Sequence, residues 1–150
     1  MRKDWDSYWI DIAKKVADRG TCNRLQVGCI IVKNNRLIAA GYNGSIHGHD
    51  HCDDVGHLLN DEGRCIRTLH AEENAILHTN RRDLIGATAY VTHEPCENCT
   101  KRLNQAGVKR VVFLNAYPNK WNKHFKVGME WVHYYGADRS VSSSDGREHS

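Results

Sequence analysis

The chain lacks any apolar run approaching the roughly 20 residues that a bilayer-spanning helix needs, so no membrane partner is expected. Its opening residues, Met1-Arg2-Lys3-Asp4-Trp5-Asp6, lack the apolar core of a secretory leader, which points to a cytoplasmic, reducing location. Under those conditions clustered cysteines are better explained as metal ligands than as disulfides. A large charge excess is missing too: the net charge of +3 is far below that of a protein tracking a nucleic-acid backbone. A polynucleotide partner is therefore not expected, while a small phosphorylated substrate remains compatible. Internal repeats and breaks in composition are also absent. With 40% hydrophobic and 26% charged residues over 150 positions, one domain spanning 1–150 is expected, with a polar, frayed tail from about 142–150.

What is present reads as alternating elements. Residues 5–19 carry Trp9, Ile12, Ala13, Val16 and Ala17 on one helical face, and Gly20 is placed to end the helix. Residues 26–32 and 36–42 are apolar and β-branched around Lys33-Asn34-Asn35, the pattern of a hairpin. Helices are expected over 71–80, over 97–106 before Gly107, and over 122–135 before Gly136. In that last helix Trp121, Phe125, Trp131 and Tyr135 would pack against a sheet. Strands are expected over 87–92, 108–114 and 139–141. Strands alternating with helices after an opening β-hairpin predict an α/β fold, a three-layer α/β/α sandwich around a mixed five-stranded sheet.

The chemistry concentrates in His70-Ala71-Glu72 and Pro95-Cys96-Glu97-Asn98-Cys99. One imidazole and two thiolates, His70, Cys96 and Cys99, can hold Zn²⁺ with a fourth position open for water. Zinc lowers the pKa of such a water from about 15.7 to near 7. Glu72, two residues from the histidine, is better placed to move protons than to complete the ligand set. This H-x-E…P-C-x-x-C order is the one used by zinc deaminases of nucleobases. The alternative is a structural zinc knuckle, but such sites close all four positions with Cys or His and would leave Glu72 without a role.

Three segments extend the pattern: Gly41-Tyr42-Asn43-Gly44, residues 65–72 (Cys65-Ile66-Arg67-Thr68-Leu69-His70-Ala71-Glu72), and Thr92-His93-Glu94-Pro95-Cys96. With them the chain, from about residue 26 to 114, resembles the deoxycytidylate (dCMP) deaminases of the cytidine-deaminase superfamily. The resemblance implies a cytidine-deaminase-like fold and hydrolysis of dCMP to dUMP and ammonia, supplying thymidylate synthesis. It implies a homohexamer activated by dCTP and inhibited by dTTP, with Mg²⁺ accompanying the dNTP effector. It further implies that Asn43 hydrogen-bonds the deoxyribose, that the Ala71 amide meets the base carbonyl, and that the Glu94 carbonyl faces the departing amine. Arg24 is a candidate phosphate contact. Gly41, Tyr42, Gly44 and Tyr117 are candidate contacts of the allosteric nucleotide. His93 could line the pocket or pack at a strand end, and a tight turn would equally account for Asn43 and its glycines. Deamination of tRNA adenosine, of a free nucleoside or of a riboflavin precursor, and a non-catalytic zinc and dNTP-binding role, remain as alternatives.

The polar segment 43–67 is rich in His, Gly and Asp and too poor in apolar residues to order itself by burial. With Cys22 it offers soft ligands for a second, structural zinc, assigned to Cys22, Cys52, His57 and Cys65. Some viral members of the resembled family carry such a zinc, and Cys22 and Cys52 match two of its ligands; His57 and Cys65 are inferred. His51 could stand in for His57, and a loop of solvated histidines and free thiols is the alternative. Cys29, inside an apolar strand, reads as a core residue.

Overall fold

The computed structural model describes residues 2–21, 25–45, 58, 61, 68–117, 119–135, 138–143 and 148–149. Helix α1 (Trp5–Ala17) is capped by Asp4, whose carboxylate accepts from the Ser7 amide at 3.0 Å. Trp9, Ile10, Ala13 and Ala17 are buried, while Lys14 and Lys15 face solvent. Strands β1 (Gly28–Lys33) and β2 (Arg36–Tyr42) form the expected hairpin. Its two central residues, Asn34 and Asn35, have φ of 53° and 57°, the backbone of a type I′ turn. Asparagine tolerates that region better than most residues, and the turn matches the right-handed twist of the strands.

At the end of β2 the chain must pass beneath α2 (Ala71–Leu77). A Cβ on Gly41 would collide with the Ala71 carbonyl and the Ala75 amide, so glycine is what lets helix and strand backbones touch. The Asn74 amide donates to the Tyr42 carbonyl at 2.8 Å and pins the same crossing. Next to it, β3 (Gly44–Ser45) and β4 (Thr68–Leu69) pair antiparallel, so Gly44 and Ser45 lie beside the two residues directly before His70.

The chain then runs through α3 (Arg81–Leu84), β5 (Thr88–His93), α4 (Glu97–Ala106), β6 (Arg110–Asn115), β7 (Glu130–Tyr135), β8 (Asp138–Ser143) and β9 (Glu148–His149). The main sheet has the order β2-β1-β5-β6-β7-β8-β9. Parallel pairing of β5 with β6 and of β6 with β7, among antiparallel neighbours, makes it mixed. Strands β2, β1, β5 and β6 stand where strands are expected and the expected strand over 139–141 falls in β8, whereas β7 and β9 are additional. Trp9, Ile10 and Ala13 of α1 pack on one face against Ile30, Tyr90, Val112 and Val132. Ala71, Ala75 and Leu103, from α2 and α4, pack on the other against Ile31, Val91, Val111 and Phe113. The result is the expected three-layer α/β/α arrangement.

Two expectations need correction. Residues 122–135 do not form a helix: Asn122–His124 make one 3₁₀ turn and Glu130–Tyr135 is strand β7. Trp131 enters the core beneath α2 and α4, while Val132 and Tyr134 enter the core beneath α1. A strand buried on both faces reads as an unbroken apolar run, which periodicity cannot separate from a buried helix. Trp121 is accordingly not a sheet-packing residue; it is half exposed on the connection between β6 and β7. At the polar end of the chain β8 reaches Ser143, and Val141 and Ser142 pair with His149 and Glu148.

Candidate active site

Two helix starts converge to build the site. His70 precedes α2 and Cys96 precedes α4, both in extended backbone, with φ of −72° and −70°. The unpaired amides of a first helical turn carry positive potential, which favours thiolates there. Glu73 closes one end by accepting from the His70 amide at 3.0 Å. Cys99 lies in the first turn of α4.

His70 Nδ1 stands 3.6 Å from Cys96 Sγ and 3.3 Å from Cys99 Sγ, and the three donor atoms all lie within 4.8 Å of one another. Tetrahedral zinc holds sulfur at about 2.3 Å and nitrogen at about 2.0 Å, which separates neighbouring S and N donors by about 3.5 Å. The donor set therefore fits a zinc ion with three protein ligands. The Cys96 thiol is held well below the usual thiol range by the hydrogen bond from Cys99 and then by His70. Cys99 is pushed the other way by that same hydrogen bond and by burial, while its bond to Cys96 raises His70. A divalent cation favours the thiolate form of both sulfurs.

Glu72 is 4% exposed, and its carboxylate lies within electrostatic reach of His70, Cys96 and Cys99. Burial pushes its carboxyl up to about 7, against the pull of His70. A carboxyl so placed has access to both protonation states near neutrality, the property a proton carrier needs. Cys29 is fully buried in β1, as its apolar surroundings predict, and burial pushes its thiol up.

The remaining candidates fall into three groups. Asn43 is buried, and its amide braces the chain: Oδ1 accepts from the Val27 amide at 2.8 Å and Nδ2 donates to the Leu25 carbonyl at 2.5 Å. The β3–β4 pairing brings it and Gly44 next to His70. Gly41 is taken up by the packing of α2, and the Tyr42 carbonyl by Asn74. Ala71, the first residue of α2, is fully buried beside the ligand. His93 is half buried, with Nδ1 3.0 Å from the Thr92 hydroxyl, and burial lowers its pKa. Arg24, Cys22, Cys52, His57 and Cys65 lie outside the described residues.

Sequence reasoning missed how the zinc-facing loop is held. The Glu94 carboxylate accepts from the Tyr117 amide at 3.0 Å and from the Trp131 indole at 3.4 Å. The Asn119 amide donates to Glu97 at 2.5 Å, and Asn122, 1% exposed, donates to the Pro95 carbonyl at 2.9 Å. These are polar residues in an aromatic, lysine-rich stretch, and nothing in their spacing announces an inward role. Tyr117 itself is half exposed beside Glu94.

The family model for the cytidine and deoxycytidylate deaminase zinc-binding region matches residues 3–115. The chain is 47% identical over 118 residues to ComE operon protein 2 of Bacillus subtilis, covering 77% of this chain and 62% of that protein. It is 40% identical over 123 residues to the deoxycytidylate deaminase of Mycobacterium phage D29, covering 75% of this chain and 95% of that protein. Among solved structures, the dCMP deaminase of cyanophage S-TIM5 in complex with dCMP and dUMP superimposes with a TM-score of 0.65 at 31% identity. That match covers 78% of this chain and 85% of the other.

Proposed function

Because this chain belongs to the cytidine and deoxycytidylate deaminase family, we propose that it hydrolyses dCMP to dUMP and ammonia. The observation that carries the reading is the clustering of the His70, Cys96 and Cys99 donor atoms, with which the buried Glu72 carboxylate interacts. The names of the phage D29 and cyanophage relatives support dCMP as the substrate.

His70, Cys96 and Cys99 would hold a zinc ion, which would supply Lewis-acid activation of water. Glu72 does the proton work. It takes a proton from the attacking water and delivers it to the ring nitrogen, then takes the second proton from the added hydroxyl and passes it to the exocyclic amine, so that the C–N bond breaks and ammonia leaves as the carbonyl forms. Its burial keeps bulk water from competing for those protons. The Ala71 amide, in the open first turn of α2, receives the base carbonyl, and the Glu94 carbonyl receives the departing amine. Asn43 faces the sugar from the neighbouring β3–β4 ribbon, and Arg24 meets the phosphate.

The wider reading includes dUMP supply to thymidylate synthesis in the cytoplasm and assembly as a homohexamer. It also includes activation by dCTP with Mg²⁺, inhibition by dTTP, and contacts from Gly41, Tyr42, Gly44 and Tyr117 to that effector. A second, structural zinc at Cys22, Cys52, His57 and Cys65 rests on the ligand chemistry of those side chains. No helix among the described residues is long and apolar enough to cross a membrane.

The test is ammonia release by the zinc-loaded protein from dCMP, dCTP, cytidine and tRNA, each with and without dCTP or dTTP. Turnover of dCMP that dCTP raises and dTTP lowers is the expected result. Turnover of another substrate in its place keeps the zinc chemistry and removes dCMP. Zinc per chain falling by one atom in Cys52→Ser is the expected signature of the second site.

A further inference from the structure

Asn122 lies 23 residues beyond the second thiolate, yet its side chain reaches both ends of the metal-binding turn. Nδ2 donates to the Pro95 carbonyl at 2.9 Å, immediately before Cys96. Oδ1 stands 3.0 Å from the hydroxyl of Thr100, immediately after Cys99. The Thr100 hydroxyl is also 2.8 Å from the Cys96 carbonyl and divides its single proton between the two acceptors. Asn122 and Thr100 are 1% and 0% exposed, so water cannot replace these bonds. The buried amide thus bridges the two residues that flank Cys96-Glu97-Asn98-Cys99.

A thiolate pair can accept a tetrahedral ion only if the backbone carrying both sulfurs is held at the right span. Helix α4 holds Cys99 and ties the Cys96 carbonyl to the Thr100 amide at 2.8 Å, whereas Pro95, on the far side of Cys96, lies outside the helix and is held by Asn122. We propose that Asn122, acting through Pro95 and Thr100, is a positioning residue that sets the spacing of the Cys96 and Cys99 thiolates and so tunes zinc affinity. The proposal rests on the reading of His70, Cys96 and Cys99 as zinc ligands. Outer partners that hold ligands in place typically alter metal affinity by about 10- to 100-fold when removed.

A merely structural role can be separated from this one within the same connection. Asn104 donates to the Phe125 and Val127 carbonyls at 2.8 and 2.7 Å, anchoring the connection between β6 and β7 without touching the cysteine turn. The experiment is zinc competition with a chromogenic chelator on the full chain, with folding checked by circular dichroism. It compares the wild type with Asn122→Ala, Asn104→Ala, Thr100→Val, Thr100→Ser and Cys99→Ala. Expected is a zinc Kd raised by about 10- to 100-fold in Asn122→Ala and Thr100→Val, and near the wild-type value in Asn104→Ala and Thr100→Ser. Wild-type affinity in Asn122→Ala overturns the proposal, and so does equal weakening in Asn104→Ala, which makes Asn122 only a loop anchor. If Asn122→Ala does not fold, the Thr100 pair decides: weakening in Val with rescue by Ser supports the proposal, and no difference overturns it. A wild type that binds no zinc, or a Cys99→Ala variant that keeps it, fails the ligand reading itself and takes the proposal with it. That outcome is distinct from one in which only the Asn122 comparison fails.

Discussion

Beneath α1, Asp6 and Arg110 meet in a bidentate pair at 2.7 and 2.8 Å, with the Tyr90 hydroxyl donating to the same carboxylate at 2.7 Å. Beneath α2 and α4, on the other side of the same sheet, Cys96, Cys99 and Glu72 are buried beside a half-buried His70. On the first face each charge has its opposite inside the chain: Arg110 is held up first by its hydrogen bond to Asp6, and Tyr90 is pushed up by burial and then by Asp6. On the second face burial pushes Glu72 up, and the Cys99 thiol is pushed up by its bond to Cys96 and by burial. Burial of polar groups therefore does two different jobs across one sheet. A closed ion pair fixes α1 to the strands, and an open donor set is completed by an ion from outside.

The comparison breaks most visibly at Glu72. Glu72→Gln should lower dCMP turnover by about 10²- to 10⁴-fold, with zinc content and melting temperature unchanged. A fall in melting temperature would place Glu72 with the structural groups instead. Zinc removal comes next. At about 1,000 times its Kd, zinc stabilises the fold by about 4 kcal/mol. Chelation should lower the melting temperature of the wild type by about 10 °C, read by calorimetry, and leave Cys99→Ala unmoved.

Asp6→Ala sharpens the opposite side. Removing one partner of a largely buried pair should cost about 3 kcal/mol of stability in urea unfolding, while zinc content and kcat per folded chain stay as they were. A matching loss of kcat would mean that the two faces are not independent. The smallest effect is expected at the hairpin. Asn35→Ala must hold φ near 57° without the asparagine amide and should cost about 1 kcal/mol, with no change in activity.

The site was more legible than its support. His70, Glu72, Cys96 and Cys99 are recognisable because metal chemistry demands particular atoms at short spacing, and helix starts are marked by local residues such as Pro95 and Glu73. The hairpin was legible for a similar reason: Asn34 and Asn35 are residues that tolerate positive φ. Strand β7 was not, because Trp131, Val132 and Tyr134 serve two cores and leave no period to read. Nor were the inward roles of Glu94, Asn119 and Asn122, whose partners in the site are distant in sequence.

By itself, then, the amino-acid sequence determined the chemistry of the centre, the opening hairpin and the alternation of helices with strands. Each depends on side-chain type and short-range spacing, which are written along the chain. Only the tertiary structure decided that α2 lies directly on Gly41, that residues 130–135 join the sheet, and that Asp6 meets Arg110 across 104 positions. It likewise decided that Asn122 spans the cysteine turn. Those outcomes depend on which backbone groups are left unpaired once the layers pack, and a buried polar group takes whatever partner that packing brings within reach.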